Sequence, residues 1–135
     1  MRTHLEFRSE ALREAFNRTD DPGEIGGRLV AELLSSRLPE HGFAVKRVVQ
    51  EDWGWCIVLD NEAFSLWIGT GDYLEYSDGH LCFIEPSRPF VRRWFRQVST
   101  AETVERLATA IEAIIRASGQ ASELRWWNET EVARG

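Results

Sequence analysis

The chain has 135 residues, enough for one domain and short for two. Hydrophobic residues make up 43% and charged residues 28%, a globular profile that excludes disordered, collagen-like and small disulfide-stapled classes. Sixteen basic against 22 acidic residues give a net charge of −6, which disfavours non-specific binding to nucleic acid or to an anionic membrane.

No apolar run approaches the roughly 20 residues that span a bilayer, and the charge-rich N-terminus has no signal-peptide core. Cys56 and Cys82 both sit in apolar segments, which points to reduced core thiols and a cytoplasmic protein.

Leu5 and Phe7 alternate with Glu6 and Arg8, which predicts a short edge strand over residues 3–8. Asp21 as N-cap, Pro22 in the first turn and Glu24 as capping-box acid then open a first helix. Ile25, Leu29, Leu33 and Leu34 share one face of it, and Pro39 and Gly42 end it. Gly26 and Gly27 would lie inside that helix. They imply either a close approach of helix to sheet or backbone amides open to an anion.

Residues 43–86 read as a four-stranded antiparallel meander. Phe43 to Gln50 is Val-rich. In the next strand Trp53, Trp55, Ile57 and Leu59 fall on one face, and Gly54, Cys56 and Val58 on the other. Phe64, Leu66 and Ile68 alternate with Ala63, Ser65 and Trp67. Gly69-Thr70-Gly71-Asp72 and Ser77-Asp78-Gly79 bracket a polar loop, and His80 to Glu85 is the fourth strand. Ser99 and Glu102 make a capping box for a second helix striped by Val104, Leu107, Ala108, Ile111, Ile114 and Ile115 and closed by Gly119. Leu124 to Trp127 is a last short strand, and the tail beyond about residue 128 should fray.

The order β-α-β-β-β-β-α-β predicts a single α+β domain, a two-layer sandwich with a mostly antiparallel sheet and two helices on one face. The other sheet face stays open and is the natural place for a binding function.

Four features stand out against this frame. The first is tryptophan, with six residues in 135. The rings either fill a thin core or, off the helix side, make an aromatic platform. The second is the stretch 86–96, which holds Arg88, Arg92, Arg93 and Arg96 among Phe90, Trp94 and Phe95 and no acid. It carries +4 and leaves −10 on the remainder. Its guanidiniums could pair internally with Glu85, Asp52 or Asp72, with an acidic protein partner, or with phosphate or single-stranded nucleic acid. The acidic remainder weighs against the last.

The third feature is the pair Glu51-Asp52 before Trp53, with Asp72 as a possible companion. It allows cation binding or acid–base chemistry, or simple turn chemistry. The fourth is an absence of enzyme signatures. His4, His41 and His80 have no zinc spacing, and neither a GxSxG elbow nor a P-loop occurs. His80 and Cys82 share a strand face, but a nucleophilic thiolate needs an exposed, electropositive setting. No cofactor and no metal are expected.

The segments Glu51-Asp52-Trp53-Gly54-Trp55, Leu66-Trp67-Ile68-Gly69, Leu81-Cys82-Phe83-Ile84-Glu85-Pro86, Val91-Arg92-Arg93-Trp94-Phe95 and Leu124-Arg125-Trp126-Trp127 follow one another in this order. Together they resemble a family of small bacterial proteins of uncharacterised activity, over about residues 24–127. The resemblance implies a bacterial, cytoplasmic origin. It transfers no reaction, ligand or catalytic residue.

The expected function is a non-enzymatic protein-interaction module with an aromatic and Arg-bearing surface. Its contacts would be Arg92, Arg93, Trp94 and Arg96, then Asp52 and Trp53, since interfaces favour Trp and Arg. Two alternatives stay open. One is an immunity-type protein that neutralises a basic toxin through its acidic surface. The other is a small-ligand binder or enzyme with a pocket near the Asp52–Trp53 turn and the Gly69–Asp72 loop. Oligomeric state is not legible at this level.

Overall fold

Apolar residues at every second position put one face of each strand inward. The computed structural model, which describes residues 1–13 and 25–128, resolves this pattern into eight strands. They are β1 (Arg2–Arg8), β2 (Val45–Glu51), β3 (Gly54–Leu59), β4 (Leu66–Asp72), β5 (Gly79–Glu85), β6 (Phe90–Arg93), β7 (Arg96–Ser99) and β8 (Ser122–Asn128). Six of them form one antiparallel sheet in the order β2-β3-β4-β5-β1-β8, and β6 and β7 pair as a separate hairpin.

Two helices, α1 (Arg28–Arg37) and α2 (Ala101–Ala117), cover one face of the sheet. Leu5, Phe7, Ile57, Leu66, Ile68, Cys82 and Ile84 meet Val30, Ala31 and Leu34 of α1 and Val104, Leu107, Ala108, Ile111 and Ile115 of α2. All are fully buried, and none carries a charge. The architecture is the α+β two-layer sandwich that the element order predicts.

Several local expectations change. Residues 3–8 do not form an edge strand, because β1 lies between β5 and β8. The final strand returns to cover the flank that alternation alone leaves bare. The edges are β2 and β8. The Asp21-Pro22-Glu24 cap lies outside the described residues, and α1 begins at Arg28 instead. Gly26 and Gly27 therefore precede the helix rather than interrupt it.

The reason is a close approach to β4. Thr70 Oγ1 donates to the Gly27 carbonyl at 2.8 Å. A Cβ on Gly27 would lie 2.5 Å from the Thr70 carbonyl oxygen, and Gly27 has φ 104°. Residues 69–72 are strand rather than loop, since β4 runs on to Asp72. Ser99 closes β7, so the N-cap of α2 is Thr100, whose hydroxyl donates to the Arg88 carbonyl. The turn after α2 ends, as expected, on Gly119 at φ 69°.

A polar cluster fastens β1 and β8 to α2. The Arg2 amide donates to Glu105 Oε1 at 2.7 Å, and its Nε donates to Oε2 at 3.0 Å. The Trp126 indole donates to Glu112 Oε1 at 2.7 Å. Burial pushes the Glu105 carboxyl up, but the Arg2 hydrogen bonds more than offset it and hold it below its ordinary value. The Trp126 indole, helped by Arg116, does the same for Glu112. Among the described residues no helix is long and apolar enough to cross a membrane.

Two predictions follow from this packing. Gly27→Ala should cost about 2 kcal/mol or more, because a left-handed penalty adds to a backbone clash. Gly42 has φ 87° but nothing within 4 Å of a Cβ, so Gly42→Ala should cost only about 1 kcal/mol. Urea midpoints of the two variants check the difference. Because Glu105 and Glu112 titrate lower when folded, their stabilisation is present above their unfolded value near 4.5 and fades as pH falls below it. Between about pH 5 and pH 3 the midpoint should decline, and Trp126→Phe should flatten that decline.

Candidate functional site

The stretch 86–96 folds as a hairpin that period-two reasoning missed, since its strands are only four residues long. Val91 and Val98 pair and rest against the core. The rest of the hairpin projects. Trp94 and Phe95 form its two-residue turn between the paired Arg93 and Arg96, and these two residues are 85% and 99% exposed.

This tip is unfavourable by its own chemistry. Trp94 sits at φ 59°, where glycine is usual and a bulky side chain costs about 1–2 kcal/mol. Arg93 and Arg96 stand directly opposite each other, and like charges across a strand pair repel. Among the described residues Arg88, Arg92, Arg93 and Arg96 make no ion pair, so the expected internal partners Glu85, Asp52 and Asp72 do not neutralise them. Arg93 instead donates to the backbone carbonyl of Glu62.

A cavity of about 570 Å³ opens at the hairpin's base. Arg92 and Arg93 line it together with Asn61, Glu85 and Trp67. Trp67 also borders a smaller groove of about 310 Å³ beside Gly71, walled by Trp53, Leu81 and Phe83. The two spaces thus meet at one indole.

That indole belongs to the open face of the sheet. Trp53 leaves the strand at the β2–β3 turn and lays its ring over this face, 6.1 Å from Trp67 and 5.2 Å from Phe83. It is therefore not on the core side with Trp55, Ile57 and Leu59, because a turn residue does not keep the strand's alternation. Phe83 stacks on His4 at 5.6 Å and lies over Gly69, where a Cβ would come within 2.2 Å of the ring. None of the six indoles is fully buried. Trp127 donates to Glu6 Oε1 at 2.7 Å, which ties the far end of the same face.

The six residues singled out from sequence do not converge on one point. Arg92 and Arg93 line the larger cavity, Trp94 and Arg96 hold the tip, and Trp53 walls the groove. Asp52 is exposed in the β2–β3 turn. Trp67 and Phe83 connect these parts and were not singled out. Phe83 opposite Gly69 was the available signal, but it needs the β4–β5 register.

Burial pushes the Cys82 thiol up to about 12, so the Cys82–His80 strand face holds no thiolate near neutrality. The His80 Nε2 faces the Ser9 carbonyl at 2.9 Å, and its ring stacks on Phe7. Burial and Glu51 raise the half-buried Cys56, which Arg47 partly offsets. Among the described residues no group of three or more His, Cys, Asp and Glu side chains could hold a metal ion. Comparison with protein-family models, curated proteins and solved structures finds no match.

Thiol titration provides a check on this site. In native buffer at about pH 8, an aromatic disulfide reagent should modify Cys56 slowly and leave Cys82 intact. In denaturant both should react at once. Fast native labelling of Cys82 would contradict the packing described.

Proposed function

We propose that the chain is a non-enzymatic protein-interaction module of the bacterial cytoplasm, and that it grips an acidic protein through the β6–β7 hairpin. The observation that carries this reading is the tip itself. A solvent-exposed Trp94-Phe95 pair, a strained φ and two facing guanidiniums coincide at one turn. An isolated hairpin is marginal at best, so these penalties are hard to reconcile with a merely structural role.

An acidic partner would relieve them. Its carboxylates would fork onto Arg92 and Arg96, and a hollow in it would desolvate the indole and phenyl rings. Arg93, already held by Glu62, would position the cavity wall rather than lead the contact. The resemblance to small bacterial proteins is consistent with this setting. Nucleic acid fits less well, because the acidic remainder of the chain repels an extended polyanion beyond a short contact.

Stability and binding should separate at Trp94. Trp94→Gly relieves the left-handed penalty and should leave the stability read from urea unfolding unchanged or raised by up to about 1 kcal/mol. In the source cells, a photo-crosslinker at position 94 should trap one acidic protein. Binding to that protein should fall at least about tenfold with Trp94→Gly or Arg92→Ala/Arg96→Ala and weaken with added salt. A crosslinker that traps nucleic acid, or nothing, while both variants behave as wild type in the cell would sink the reading.

A further inference from the structure

The strand β2 is an edge of the six-stranded sheet, and every residue from Lys46 to Glu51 is exposed. It closes on β3 through a two-residue turn, with Glu51 opposite Gly54. Such a turn closes on a hydrogen-bonded pair. Glu51, Val49 and Arg47 therefore spend their amide and carbonyl groups on β3. Val48 and Gln50 turn theirs outward, where no strand among the described residues receives them.

Natural sheets blunt free edges with bulges, prolines or charge. The other edge, β8, is irregular: it has two register shifts against β1 and a left-handed residue, Glu123 at φ 54°. β2 has its one register shift at the far end, between Val45 and Arg47, and contains no proline. From Arg47 to Glu51 it is regular.

Its charges are also sorted along the strand. Lys46 and Arg47 lie at one end, and Glu51 and Asp52 at the other. Arg47, Val49 and Glu51 share the open face of the sheet, opposite Val58, Cys56 and Gly54. Cys56 accordingly feels both Arg47 and Glu51. Among the described residues neither Arg47 nor Glu51 makes an ion pair.

We propose that β2 pairs antiparallel with β2 of a second copy of this chain about a two-fold axis at Val49, which joins two sheets into one of twelve strands. In that register the outward groups of Val48 meet those of Gln50 of the second copy, twice. Val49 faces itself. Arg47 faces Glu51 of the second copy at both ends, in non-hydrogen-bonded pairs where side chains come closest. Lys46 reaches the level of Asp52 of the second copy. A shift of the axis to Val48 would oppose Arg47 to Val49 and lose both charge pairs, so the charges choose the register. The arrangement is isologous and closed, as dimers usually are. It uses neither the hairpin nor the groove.

One strand pair buries less than the roughly 800 Å² per partner of a standard interface, so the dimer should be a concentration-dependent one in the micromolar range. Sedimentation equilibrium of the full chain from about 1 to 500 μM is the test. Wild type should move from monomer to dimer across that range. Arg47→Glu alone gathers four carboxylates at the seam and should weaken the dimer at least about tenfold, as Glu51→Arg should with four cations. The exchange Arg47→Glu/Glu51→Arg should restore it. All three changes are on exposed positions, and circular dichroism reports whether each still folds. A wild type that stays monomeric to the top of the range overturns the proposal, as does a dimer that both single reversals leave intact or that the exchange fails to rescue.

Discussion

Two helices can cover only one face of a six-stranded sheet, and the rest of the molecule answers to that inequality. The aliphatic stripe of α2 and the shorter face of α1 fill the inner side with Leu, Ile and Val. Among the described residues the outer side has no second layer. There the rings of Trp53, Trp67, Phe83 and His4 pack on one another over the central strands, and Phe83 covers Gly69. Aromatic side chains suit this position because they bury large areas while tolerating a wet edge. Layer count thus accounts for Trp53, Trp67 and Trp127, whereas Trp55 and Trp126 pack against the core and Trp94 holds the hairpin tip.

The hairpin stands apart from this logic. Its base is secured by Val91 and Val98 against the core and by the Thr100 amide bonding the Pro89 carbonyl. Its tip gathers three local conflicts in one turn: a left-handed tryptophan, a facing pair of cations and two exposed rings. Consistency across levels is the rule in folded sequences, and violations concentrate where function requires them. The adjoining cavity places Arg92 and Arg93 beside Trp67, so the base of the hairpin borders the aromatic face.

Charge follows the same division. Most Arg residues of β1 and the helices are paired with nearby carboxylates, as Arg2 is with Glu105, Arg8 with Asp78 and Arg116 with Glu112, while Arg106 lies over the Phe43 ring. The Arg residues of the hairpin and Arg47 of the β2 edge have no such neighbour among the described residues. The guanidiniums of the hairpin and of β2 lie where the chain presents a projecting turn or a free strand, which are places where another molecule's groups can reach them.

Periodicity alone was enough for the meander, the α2 stripe, the last strand and the helix-on-sheet class, because burial on one face imposes a period of 2.0 or 3.6 directly on residue order. It grouped Trp55, Ile57 and Leu59 on one strand face, with Trp53 wrongly among them, and marked Arg92, Arg93, Trp94 and Arg96 as unusual. What it could not supply was adjacency. That β1 is interior depends on β8 returning beside it, a pairing of residues more than a hundred positions apart. That Gly27 caps α1 depends on the Thr70 carbonyl, and that Trp53 lies outside depends on a turn breaking alternation. The hairpin's strands were too short to carry a period, and Phe83 became part of the surface only when the β4–β5 register set it over Gly69. Residue order encodes which way a side chain faces within its own element; which element stands opposite is settled only when the whole sheet closes.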